Sequence, residues 1–203
     1  MSLVDTASVG LTAKPGMGAS ELGALGPATT FIDGATYLFA FLNVATTNLY
    51  ASALAENADD ETKSKCATDA VFRTASKISF ICGLGIMFLL WYKAEFLLSL
   101  YIGSGDSKIL EPATKYILAR SLSLPTSLLY GVIQAALLGA KDSVTPLIAV
   151  AVTTLVNVFG DGFLVVVLKW GTFGAAIATT AAQVSISEFT FTQKHLLKLL
   201  SVF

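Results

Sequence analysis

Long oily runs and short polar breaks alternate along this chain. A helix needs about 20 mostly apolar residues to cross a bilayer, and five stretches supply them: roughly 22–55, 70–92, 112–138, 145–168 and 172–191. The breaks between them are ENADDETKSK, YIGSGDSK, LGAKDSVTP and KWGTFG, each short, polar or Gly-rich. The first run is long enough to span and extend beyond the bilayer. Pro125 lies in mid-run and predicts a kink, and Pro27 predicts another near the start of the first run. Pro146 stands near the start of its run, where a missing N–H costs little. AEFLLSLYI, after Tyr92, reads as an interfacial continuation of the second helix. Most of these runs lack the polar face that an outer helix of a water-soluble domain carries, so the pattern predicts an all-α, polytopic integral membrane bundle.

Composition agrees. Of 203 residues, 54% are hydrophobic and 13% charged, whereas soluble domains average about 25% charged. A formal net charge of −1 removes the basic stripe that nucleic-acid binding requires. Cys66 and Cys82 are isolated, and His195 is the single histidine. Disulfide, zinc and Ser-His-Asp readings therefore have no support, and no metal or cofactor is expected. Lys63, Lys65, Arg73 and Lys77 follow the first run, Lys141 falls two loops later, and Lys194 and Lys198 follow the last run. Lys14, Lys108 and Lys169 fall on the opposite side. This bias places the first group in the cytoplasm. Lys93, Lys115 and Arg120 lie near span ends or inside spans, within snorkelling reach of the interface.

Polar residues inside the spans are the candidate chemistry. Asn157 and Asp161 are four apart and share a helix face. Gly160 and Gly162 flank the acid and thin the helix, which lets a partner helix or water approach. A charged acid at mid-bilayer costs about 2.5–3.5 kcal/mol on insertion scales. Such a residue is by default functional, and here it is a candidate proton carrier; the structural reading is a neutral Asp hydrogen-bonded across helices. Asp33 and Gln134 are further candidates for a polar cavity. Isolated Thr residues and Gln183 read as interhelical hydrogen bonds. The near-bulkless GAAIATTAAQ of the last run favours close helix packing.

MSLVDTASVG, ELGALGPAT, FLNVATTNLYASALA, LGAKDSVTPL, NVFGD and GTFGAAIATTAAQ, in this order and spacing, resemble the multidrug and toxic compound extrusion (MATE) transporters, closest to the DinF-like branch with its plant chloroplast and citrate-exporting members. The resemblance covers the chain to about Gln183. It implies one lobe of a two-lobe, twelve-helix transporter: residues 1–20 as the end of helix 1 and a loop, 21–192 as a bundle of about five helices corresponding to helices 2–6, and 193–203 as a cytoplasmic tail. It also implies ion-coupling roles for Asp5 in the first-helix DT motif, for Asn157 and Asp161 of the fifth helix, and for Thr179 of the sixth. The implied function is secondary active export of small organic compounds coupled to a proton or sodium ion, with no enzymatic step, in the plasma membrane or a plastid envelope. A second lobe is an expected partner. One alternative is a truncated, non-transporting half. Another is an intramembrane aspartyl protease, against which stands the missing first Gly of a GxGD motif at Val158-Phe159-Gly160-Asp161.

Overall fold

A computed structural model describes the backbone of residues 7, 9, 10, 18–102 and 107–200, with the side chains of 7, 9, 10, 22–102 and 109–185. Seven helices longer than two turns occupy the described residues: α1 (Gly18–Tyr37), α2 (Ala40–Glu56), α3 (Glu61–Ile102), α4 (Ser107–Ser121), α5 (Leu124–Gly139), α6 (Val144–Asp161) and α7 (Gly171–Leu200). A π-helical stretch, Gly162–Val167, prolongs α6. Among the described residues, three stretches are long and apolar enough to cross a membrane: Leu22–Glu56, Glu61–Ile102 and Val144–Val167. The bent pair α4–α5 makes a fourth. α7 covers the fifth predicted run.

Two runs that read as single spans are each divided. The first is broken at Leu38–Phe39, where the ladder tightens to i→i−3 bonds: Phe39 N–H to Thr36 O at 3.1 Å and Leu42 N–H to Phe39 O at 3.0 Å. α1 continues through Pro27, and the run breaks only at Leu38–Phe39. The third run divides where Pro125 predicts. α4 ends at Ser121, α5 begins at Leu124, and the two axes differ by 53°. Pro125 then sits in the first turn of α5, where its missing N–H has no intrahelical acceptor to lose. A break inside a membrane exposes backbone carbonyls that water cannot reach. Ser121 Oγ donates to Leu118 O at 2.7 Å and Ser123 Oγ to Arg120 O at 2.8 Å, covering two of them.

α3 does not break. Asp60 starts it: its Oδ1 accepts the N–H groups of Thr62 and Lys63, both at 3.1 Å, as an N-cap does. From there 42 residues run to Ile102, about 63 Å at 1.5 Å per residue. The continuation past Tyr92 is thus helical throughout.

α5 is the central helix, packed against α2, α3 and α7, with α6 on its flank. Small residues allow this. A Cβ on Gly139 would lie 2.8 Å from Thr47 O of α2, and Thr47 Oγ1 crosses to donate to Ala135 O at 3.1 Å. A second packing unit joins α1, α4 and the end of α3, with Leu25, Ile32, Leu98, Tyr116 and Ile117 essentially fully buried. The outer faces stay apolar: Tyr92, Phe96, Leu147 and Phe159 are all more than 60% exposed, as expected of side chains that meet acyl tails.

The turn from α5 to α6 is a Schellman closure. Asp142 N–H reaches Leu137 O at 2.9 Å and Lys141 N–H reaches Leu138 O at 3.0 Å. Lys141 adopts the left-handed conformation that glycine usually fills, with φ 63°. Asp142 then caps α6 through Val144 and Thr145 N–H at 3.1 Å each. The Thr145 hydroxyl and N–H, with the Val144 N–H, hold the Asp142 carboxyl below the usual carboxylate range. A lowered folded pKa contributes stability above the unfolded value, and that stability is lost as pH falls through the folded one. Asp142→Ala is expected to cost about 1 kcal/mol, read as a melting temperature about 2–4 °C lower in detergent at pH 7. The gap between mutant and wild type should close at strongly acidic pH.

Candidate functional site

The inward face of α6 is built on a four-residue repeat. Ala149, Thr153, Asn157 and Asp161 stand at successive turns, and all four are buried. A face pointing into an apolar bundle would ordinarily be apolar, yet three of these four residues are polar. Asn157 and Asp161 are fully buried, at 0% exposure.

Two local features hold this face against α7. Gly160 brings the helices together, because a Cβ there would lie 3.1 Å from the Ala178 Cβ. Directly after Asp161 the helix widens. Leu168 N–H reaches back five residues to Phe163 O at 3.0 Å, and Val165 inside the wide turn is fully buried. π-helical turns recur at functional sites because the extra residue re-aims its neighbours. Lys169 (φ 56°) and Gly171 (φ 57°) then reverse the chain into α7.

Across the interface Asn157 Nδ2 donates to Thr179 Oγ1 at 3.0 Å. The Thr179 hydroxyl in turn donates a hydrogen bond to Ala175 O at 3.1 Å. Asn157 Oδ1 is buried and has no donor among the described residues. The structure therefore joins Asn157 to Thr179 and places Asp161 one turn further along the same face. Asp5 lies outside the described residues. The oxygens here belong to a carboxylate, an amide and a hydroxyl, the donor type that a proton or a hard cation takes. Among the described residues no three His, Cys, Asp or Glu side chains converge as a metal cluster would.

Asp33 and Gln134 lie elsewhere, in two adjoining clefts that share Thr36, Ser127 and Gln183. The first, of about 310 Å³, contains Asp33, Tyr116 and Arg120. The second, of about 380 Å³, contains Asn43, Tyr130, Gln134 and Thr153. Gln134 Nε2 donates to Tyr130 Oη at 2.7 Å, and Ser127 Oγ donates to Gln183 Oε1 at 3.0 Å. Thr153 thus belongs both to the second cleft and to the polar face that leads to Asp161.

Two residues escape the sequence reading. Thr153 shares the spacing of Asn157 and Asp161, and that spacing was the available signal. Arg120 reads as a snorkelling residue, but its side chain is only 7% exposed and faces inward. Lys93 and Lys115 do stay exposed. The signal for Arg120 was its register: it follows Ala113, Tyr116 and Ile117 on the buried stripe of α4.

A family model described as MatE matches residues 1–161. The chain is 37% identical over 185 residues to Protein DETOXIFICATION 47, chloroplastic, of Arabidopsis thaliana, covering 91% of this chain and 32% of that protein. It is 32% identical over 186 residues to DNA damage-inducible protein F of Escherichia coli (strain K12), covering 90% of this chain and 37% of that one. The chain thus spans about a third of the length of these curated relatives. In fold it is similar to a crystal structure of MATE in the bent conformation, with a TM-score of 0.78 at 23% identity over 93% of this chain and 39% of the other.

Proposed function

The chain belongs to the MatE family, and from that premise we propose that it forms one lobe of a secondary active exporter of organic compounds. Coupling runs through the Asn157–Asp161–Thr179 face. One observation carries this reading: a fully buried acid on a membrane-spanning helix, one turn from an amide that already bonds the neighbouring helix. Uptake of a proton or a sodium ion at Asp161 neutralises the site and changes which packing of α6 against α7 is preferred. One elementary charge moving through 100 mV is worth about 2.3 kcal/mol. That suffices to redistribute two conformations a few kcal/mol apart. Substrate occupies the clefts on the α1–α5–α7 side, where a second lobe would close over it, and rocking of the lobes exposes it alternately.

The test is a gradient experiment. Proteoliposomes of the transporter are loaded with a fluorescent organic cation or with an organic acid, and a pH or sodium gradient is imposed. Efflux is expected only under one of the two gradients and should stop when an ionophore dissipates it. Efflux no faster than from protein-free vesicles under either gradient supports the non-transporting half instead.

A further inference from the structure

We propose that the groove between α2 and α3 is a binding site for one anionic phospholipid, its acyl chain laid between the two helices and its headgroup held by Arg73 and Lys77. The inference is independent of the export reading. The groove measures about 340 Å³ and shares no lining residue with the two polar clefts. Leu42, Thr46 and Leu49 of α2 and Val71, Thr74 and Ile78 of α3 line it, with three alanines between them. Both hydroxyls are spent on their own helices. Thr46 Oγ1 donates to Leu42 O at 2.7 Å, and Thr74 Oγ1 to Ala70 O at 2.8 Å. An occupant therefore meets hydrocarbon and no free donor, which selects a run of methylenes over a polar solute. The space lies at the small end of ligand sites and takes part of one chain. Leu49 and Ile78 are exposed on its rims, so the groove opens sideways toward lipid.

The charge along one edge singles out the lipid class. Ala70, Thr74 and Ile78 recur every four residues and form the outer wall on α3. Arg73 and Lys77, also four apart, form the next row outward and are exposed. Neither makes an ion pair among the described residues, whereas Lys63 and Lys65 pair with Asp60 and Glu61 at 3.2 and 2.7 Å. Asp69, one turn before Arg73, is the acid of this row, which leaves two cations against one acid. The depth also fits. After Lys77, α3 carries no charge until Lys93. Arg73 and Lys77 thus stand where the helix enters the bilayer, on the side that the Lys and Arg bias places in the cytoplasm. Glu56, the one charged residue of α2, lies at its far end, past the groove. Groove and cations are arranged as a phospholipid's own parts are, chain beside phosphate. A zwitterionic headgroup brings a cation of its own to this edge and is disfavoured there, while an anionic one brings none.

Native mass spectrometry of the 203-residue chain in detergent, titrated with phosphatidylglycerol or with phosphatidylcholine of the same acyl chains, tests this. Phosphatidylglycerol is expected to add one copy at concentrations where phosphatidylcholine does not. Each basic side chain near an anionic lipid is worth a factor of about five, so Arg73→Gln combined with Lys77→Gln should weaken phosphatidylglycerol by about tenfold or more. Lys63→Gln combined with Lys65→Gln removes the same charge a turn or more before the groove and should leave the affinity unchanged. Ala70→Phe fills the groove from its exposed rim and should weaken the same lipid with both cations in place. Glycerol 1-phosphate, which has the phosphate but no acyl chain, should not displace the bound lipid even in excess. Equal affinity for the two lipids overturns the proposal. So does an equal loss in the two double variants, which would mean diffuse attraction to a basic surface. Unchanged binding in Ala70→Phe, or displacement by glycerol 1-phosphate, reduces the site to an anion patch and overturns it too. If Ala70→Phe does not melt as folded protein, Ala45→Phe on the facing wall takes its place.

Discussion

Asp161→Asn is expected to reduce gradient-driven export to the level of protein-free vesicles while the protein still inserts and folds. The substitution keeps the shape and removes the ability to titrate, exchanging one carboxyl oxygen for an NH2 donor. Asn has the shape of Asp, and its amide can occupy the same fully buried position beside Gly160 and the wide turn after it. A permanently neutral group also avoids the insertion cost of a charge at this depth, about 2.5–3.5 kcal/mol. The mutant should therefore melt at the wild-type temperature or above it. That combination, a stable protein with no coupled flux, separates an ion-coupling acid from one that merely joins two helices. Wild-type export from the mutant under an imposed pH gradient would remove Asp161 from the mechanism.

The second large effect concerns packing. A Cβ at Gly83 of α3 would fall 2.5 Å from Pro125 Cα, 3.0 Å from Pro125 N and 3.1 Å from Leu124 O. All three are backbone atoms, two belong to a rigid ring, and they form the first turn of α5 after the break. No rotamer change relieves such a clash; the helices must separate. Overpacking typically costs about 1–3 kcal/mol, and this contact belongs at or above the top of that range. Gly83→Ala is expected to lower the melting temperature by several degrees, at about 2–4 °C per kcal/mol for a chain of this size. Gly85, two residues on, is the control. A Cβ there meets nothing within 4 Å, so Gly85→Ala should show only the gain in helix propensity, up to about 1 kcal/mol. Equal shifts of the same sign at the two positions would mean that α3 and α5 do not cross so closely.

The sequence discloses the helical class readily, because runs of about 20 apolar residues in a chain with 13% charge have few other solutions. The α4–α5 break was also legible, since proline marks it. The Leu38–Phe39 break was not, because Tyr37-Leu38-Phe39 contains no glycine, proline or turn-forming polar residue. Pro27, by contrast, leaves α1 continuous. A bundle can carry a proline inside a helix when neighbours hold the helix together, and α1 does so. For the site, spacing four residues apart located the Asn157–Asp161 face. Arg120 was misplaced because its depth depends on where α4 ends, and a lone sequence gives an oily run without the angle inside it.

The π-helical stretch has a hereditary consequence. It carries one residue more per turn than the helix it prolongs, so it behaves as an accommodated single-codon insertion. Loss of any one codon between Gly162 and Val167 would let an ordinary helix re-form. The turns on either side would keep their register, because the wide turn is what absorbs the extra residue. This short stretch should thus accept exchanges of one oily letter for another across descendants, and be the place in α6 where loss of one letter is most readily borne.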